Sequence, residues 1–302
     1  MKLSIKSALK TASVLCVCVA SATLAFAAPK WELIWSDEFD GKKIDMKKWS
    51  YIPRGKTNWN CYMSDRAELF DMRDGNVVLR GIVNPDKDKD PVPYLTGGIK
   101  TQGKFSFCYG KVEIRAKVGC AQGAWPALWM MPDYKGAEGW PKSGEIDLLE
   151  HLNFENQAWQ TIHTHYTYNL KVNNPPRFST AKINKDEYNV YGLEWTPDEL
   201  RFYVNGKHNF TYPRLKNVPA DKKQWPFNNY FYIMLDMQLG GGWVGQVNPQ
   251  HLPVEMLVDY VRVYKDANAK GDAATRVQKF ETKPDKSAKK SDKKDGKKSK
   301  KA

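Results

Sequence analysis

Cysteine is scarce in this 302-residue chain, with five in all. Cys16 and Cys18 sit in an apolar leader, so only Cys61, Cys108 and Cys120 belong to the body. Three cysteines allow at most one internal disulfide, which excludes a disulfide scaffold. Cys-x-x-Cys pairs and Cys-His clusters are also missing, which argues against a zinc module. Phosphate-binding glycine fingerprints are absent: Gly240-Gly241-Gly242 leads into Trp243, and no Gly-Lys-Ser/Thr follows. Beyond the leader, no stretch approaches the roughly 20 apolar residues that span a bilayer. Repeats at solenoid or propeller spacing are lacking, as is any long amphipathic helical pattern.

Charge is plentiful but confined to the ends. The formal net charge is +13. Residues 1–28 carry three lysines and no acid, and residues 265–302 carry 14 basic against 6 acidic side chains, leaving +2 for residues 29–264. A nearly neutral body gives no reason to expect a nucleic-acid partner. Residues 1–27 run basic, then apolar, then Ala25-Phe26-Ala27, the pattern of a secretory signal peptide, so the protein is expected to be secreted or periplasmic. The apolar run continues past Cys16 and Cys18, which disfavours a lipid-anchored cysteine. Residues 267–302 are lysine-rich and poor in apolar residues, and are expected to form a disordered tail, solubilising or docked on an acidic surface.

The remaining residues 28–266 are of a size for one domain, expected to act as a monomer. Their pattern is period two. In Lys111-Val112-Glu113-Ile114-Arg115-Ala116-Lys117-Val118 the odd positions are charged and the even ones apolar, which predicts a half-buried strand. Similar runs occur at 76–80, 188–195, 200–204 and 256–264, separated by turn sequences such as Thr196-Pro197-Asp198 and Asn205-Gly206. These runs predict an all-β jelly-roll sandwich of two antiparallel sheets with a concave face for a ligand.

Gly144-Glu145-Ile146-Asp147-Leu148-Leu149-Glu150-His151 carries the chemistry. On a strand Glu145 and Asp147 share a face, whereas Glu150 would point into the core, where an unpaired carboxylate is costly. A β-bulge at Leu148-Leu149 shifts the phase, returns Glu150 to the other acids, and leaves Ile146 and one leucine packing inward. Paired carboxyls at close range suit retaining glycoside cleavage: Glu145 as nucleophile, Glu150 as acid/base and Asp147 as helper between them. Taken alone, three acids could equally be solvated or hold calcium. The surroundings favour sugar, because Trp125, Trp129 and Trp140 cluster just ahead of the acids and indoles stack on the C–H faces of sugar rings. Of these, Trp129 reads as buried and Trp125, at a turn, as the ligand contact. His163 and His165 read as sharing one strand face, at least one of them structural or touching substrate.

With these residues in place, the chain resembles glycoside hydrolase family 16, in its laminarinase-like branch. The matches are Glu145-x-Asp147-x-x-Glu150, the segments 35–41, 109–117, 123–130 and 191–197, then Gly241-Gly242-Trp243 and the closing segment 258–264. The resemblance implies that Trp125, Arg115 and Trp243 line the non-reducing-side subsites, with Asn58, Asn60 and His165 nearby. It implies no cofactor for the chemistry, and a structural calcium on the convex face near Glu38, Gly75 and Asp259. The stretch 58–65 departs from the branch pattern, which leaves the polymer open. A β-1,3- or mixed-linkage β-glucan comes first; a poly-N-acetyllactosamine, mucin O-glycan or galactan chain is the second reading. A sugar-binding lectin on the same fold is disfavoured because it would not need all three acids.

Overall fold

A computed structural model describes residues 28–278 and Phe280. The expected signal peptide and most of the lysine-rich tail lie outside the described residues. Two antiparallel sheets of nine strands each pack as a jelly-roll sandwich. The first sheet runs in the order Lys207–Pro213, Glu199–Val204, Asn189–Trp195, Gly110–Lys117, Val254–Asp266, Asn76–Val83 and Phe70–Arg73. Trp31–Asp37 lies alongside one half of the long Val254–Asp266 strand, and Tyr94–Thr96 extends Asn76–Val83. The second sheet runs Phe178–Lys182, Gln157–His163, Glu145–Glu150, Ala124–Pro132, Phe231–Leu239, Gly98–Lys100 and Ser50–Tyr51, with Ser106–Cys108 and Arg276–Gln278 at its side.

The core lies between the sheets and follows the alternation in the sequence. Val112, Ile114 and Ala116 enter it from the first sheet; Leu128, Met130, Ile146, Leu148 and Leu149 enter it from the second. Both leucines of the bulge are therefore buried in the core, where the sequence predicts one. Apolar burial on this scale contributes roughly 25 cal/mol per Å², enough to fix strand register wherever one face is apolar. Asn205-Gly206 forms the predicted tight turn, both residues at positive φ. Helical structure among the described residues is limited to short 3₁₀ turns and one wide turn at His165–Asn169. None of it is long and apolar enough to cross a membrane.

Two expectations need correction. The fold does not stop at residue 266: Arg276–Gln278 pairs with Ser106–Cys108, with Arg276 bonded to the Cys108 sulfur and to the carbonyl of Asn228. Backbone pairing and a guanidinium hold this strand, not buried apolar surface, so composition does not register it. Arg115 does face outward, as the alternation requires, but on the first sheet, across the sandwich from the acids. There its guanidinium pairs with Asp259 and lies 4.2 Å from the Tyr188 ring centre. Which sheet a strand joins is a non-local choice that its own residues do not encode. The side chains of the residues expected near a calcium have protein partners. The Asp259 carboxylate is taken by Arg115, that of Glu38 by Arg262 at 2.7 Å, and Gly75 lies in a turn near Asp40. Cys61, Cys108 and Cys120 are all free thiols.

Candidate active site

The bulge forms where the carboxylate phase demands it. Asp147 pairs with Thr161 and Glu150 with Trp159, so Gln160 alone stands opposite the two leucines. Toward the other neighbour, Asp147 pairs with Trp129 and Leu149 with Leu128, leaving Leu148 as the extra residue. Gln160 is fully buried and holds the irregularity: its side-chain amide donates to Leu148 O at 2.9 Å and to Tyr203 O at 3.2 Å, and accepts from Asn209 Nδ2 at 2.9 Å. One side chain thus serves the bulge carbonyl and ties the two sheets together.

Above the bulge, cross-strand pairing lays the acid-bearing face out in rows. His163 stands beside Glu145; Thr161, Asp147, Trp129 and Met234 form the next row; Trp159, Glu150, Ala127 and Asp236 form the third. Each acid has its own partners. The Trp125 indole donates to Glu150 Oε1 at 3.1 Å and the Thr161 hydroxyl donates to Oε2 at 3.4 Å. His163 Nε2 lies 3.4 Å from Asp147 Oδ2 and 3.8 Å from Glu145 Oε1. On its other side, Arg177 Nη1 is 3.5 Å from His163 Nδ1. Burial, with Arg177 adding to it, holds His163 neutral by lowering its pKa to about 3. With a guanidinium beside Nδ1, the proton belongs on Nε2, pointing at the acids.

Electrostatics separates the three carboxyls. Burial raises Glu145 to about 7, while the Trp140 indole and Asp147 pull it down. Burial and then the charge on Glu145 raise Glu150 to about 8. Asp147, buried between two acids, is pushed well above the ordinary range by burial, then by Glu145 and Glu150. Glu145 therefore ionises first, and a protonated Asp147 donates to it. Burial also raises Asp236 to about 7; it accepts from Trp129 Nε1 at 2.9 Å and from Gln238 at 2.7 Å.

Aromatics flank the acids on both sides. Near Glu150, Trp243 lies edge-on to Trp125 at 5.4 Å and to Trp159 at 5.8 Å, with Phe178 beyond. Near Glu145, Trp140 meets Tyr168 at 4.5 Å and His163 at 5.9 Å. Trp243 is 44% exposed and Trp140 47%, an unusual amount of bare indole. Trp129 is buried as expected, though on the acid face under Trp59, outside the main core.

The other expected contacts divide. Asn58 packs against Gly241, beside Trp243. Asn60 closes its own loop by accepting from Thr57 N and Oγ1. His165 does not share a face with His163, because the strand ends at His163 and Thr164 caps the turn that follows. It bonds Asn169 instead, 3.1 Å away. His163, not His165, is the histidine of the acid cluster. Glu145, Asp147 and His163 also lie close enough to one another to ligate one ion.

Comparison with known proteins bears on this geometry. The model for "Glycosyl hydrolases family 16" matches residues 57–262. The chain is 44% identical over 245 residues to a keratan-sulfate endo-1,4-beta-galactosidase of Sphingobacterium multivorum, covering 79% of this chain and 56% of that protein. It therefore spans little more than half the length of that relative. It is 36% identical over 253 residues to a beta-glucanase of Rhodothermus marinus, covering 79% and 86%. Among solved structures, the laminarinase from Rhodothermus marinus superposes with a TM-score of 0.71 at 34% identity, covering 78% of this chain and 98% of that one. A structure from work on endo-acting O-glycanases of the human gut microbiota gives 0.67 at 31%, covering 77% and 98%.

Proposed function

The chain belongs to glycosyl hydrolase family 16, and from that premise we propose that it is an endo-acting, retaining β-glycosidase of lactosamine-type galactan chains. The observation that carries the reaction is the bulged strand, which sets Glu145, Asp147 and Glu150 on one face with their proton affinities in the order the chemistry needs. Glu150 as the acid gives its proton to the glycosidic oxygen while the Glu145 carboxylate attacks the anomeric carbon. The bond to the leaving sugar breaks and a glycosyl ester forms. Glu150, now the base, takes a proton from water; the hydroxide attacks the anomeric carbon and Glu145 leaves, restoring the β configuration. Asp147 holds the nucleophile, and His163 orients Asp147. Exposed Trp243 and Trp140 supply sugar-stacking faces on either side.

For the polymer, the 44% identity to the keratan-sulfate galactosidase favours a β-galactosidic chain. The resemblance to a beta-glucanase along most of its length supports a β-1,3- or mixed-linkage β-glucan as the second reading. The protein is read as secreted or periplasmic and monomeric. Digestion of a panel of keratan, mucin glycans, agarose, laminarin and barley β-glucan, with product sizing, decides the polymer: mixed-length oligosaccharides from keratan or mucin are expected. Products from the glucans alone would overturn the galactan reading. Anomer-resolved NMR of early products is expected to give β; α would refute Glu145 as nucleophile.

A further inference from the structure

A cavity of about 510 Å³ lies on the flank of the loop between Pro132 and Glu145. This is within the size range of small-ligand sites, but its walls are charged where such sites are usually apolar. Lys142, Arg214, Lys216 and Lys223 line it against Glu138 and Asp198. Glu138 is already neutralised, paired with Lys223 and lying 4.0 Å from Lys142. Among the described residues, neither Arg214 nor Lys216 has a carboxylate partner. Four cationic side chains thus share a wall with two carboxylates, one of them already taken. The loop that walls it also walls the site. Trp140, between Glu138 and Lys142 in sequence, turns to Tyr168 and His163. Gly144, at positive φ just before Glu145, is pressed so close to Pro226 and Phe227 that a Cβ there would fall 2.9 Å and 2.8 Å from their rings. Pro226 is itself part of the cavity wall.

We propose that this cavity is an anion subsite, taking a sulfate ester or carboxylate carried by the glycan whose backbone runs past Trp140 from the acids. A guanidinium beside ammonium groups matches the oxygens of such a substituent. The proposal rests on the cleft binding a glycan chain but not on which chain, and the test keeps the two apart.

Binding is measured by calorimetry at low salt on the full chain carrying Glu145→Gln, which prevents turnover. Matched probes are 6-sulfated, sialylated and neutral N-acetyllactosamine oligosaccharides, with sulfated and neutral laminarin oligosaccharides beside them. The anionic member of a pair is expected to bind roughly fivefold tighter, as one or two partly exposed charge pairs give. The margin should shrink with salt and vanish in Arg214→Ser/Lys216→Ser, while neutral probes bind unchanged. A margin for the sulfated probe identifies a sulfate subsite, and one for the sialylated probe a carboxylate subsite. If only the laminarin pair binds, the galactan reading fails and that pair alone tests the cavity. Equal binding of anionic and neutral members, or a margin that survives the double substitution, overturns the subsite.

Discussion

Replacing Gln160 by leucine tests whether the bulge is held from the opposite strand. The two side chains are close in volume, so packing changes little. What is lost is polar: Leu148 O loses its donor and Asn209 Nδ2 its acceptor, while Tyr203 O loses the longest of the three bonds. Each enclosed group left unpaired costs about 1–3 kcal/mol. Leu148 O is enclosed and Asn209 only partly so, so a total of about 2–4 kcal/mol is expected from these unpaired groups. In a domain of this size each kcal/mol lowers Tm by roughly 2–4 °C, so a fall of about 4–16 °C should appear in a thermal melt. Activity separates a weakened fold from a displaced acid. If the strand relaxes toward regular pairing, Glu150 turns inward, and loss of the general acid costs roughly 10²- to 10⁴-fold on a natural glycosidic bond. An aryl oligosaccharide with an acidic leaving group does not need that proton and should keep far more of its rate in the glycosylation step. Parental Tm together with a parental ratio of the two activities would refute the idea that Gln160 holds the bulge.

Other outcomes follow from the same site. Trp125→Phe removes the N–H that stabilises ionised Glu150, so the alkaline limb of the kcat/KM profile should move up in pH; an unmoved limb would mean the bond does not matter. Burial raises Glu145 and Glu150 above the carboxyl range. Their contribution to stability is therefore present below about pH 4.5, the ordinary glutamate value, and is lost as pH rises through about 7–8. Glu150→Gln should flatten that decline in melts across pH, and a decline as steep as in the parent would show the group is not buried. His163→Ala should lower kcat more than it raises KM, because Asp147 loses the imidazole that lies 3.4 Å from its Oδ2; a pure KM effect would make His163 a sugar contact instead.

The acids and their bulge are legible because three carboxylates and three apolar residues leave one economical phase. Gln160 was not, since its task is defined by an irregularity on another strand. The alternation around Arg115 gives its outward direction correctly, yet direction becomes location only once the sheets are paired. His163 and His165 look equivalent at period two; Thr164, whose hydroxyl accepts from Thr167 N, breaks the period between them. The family motifs locate the fold and the acids because those depend on local pattern. The cationic cavity joins residues from separate loops, none of which carries a motif.

The strand Arg276–Gln278 gives the chain a guarded border. Without it, Ser106–Cys108 would present unpaired amides, carbonyls and a thiol along a bare sheet margin, which is where β proteins recruit one another. A chain ended at residue 266 should therefore self-associate and expose Cys108 to thiol reagents, as light scattering and reagent uptake would reveal. One ended after Phe280 should do neither. This short strand would then protect the protein's solubility, a task quite separate from the sugar chemistry on the acid face.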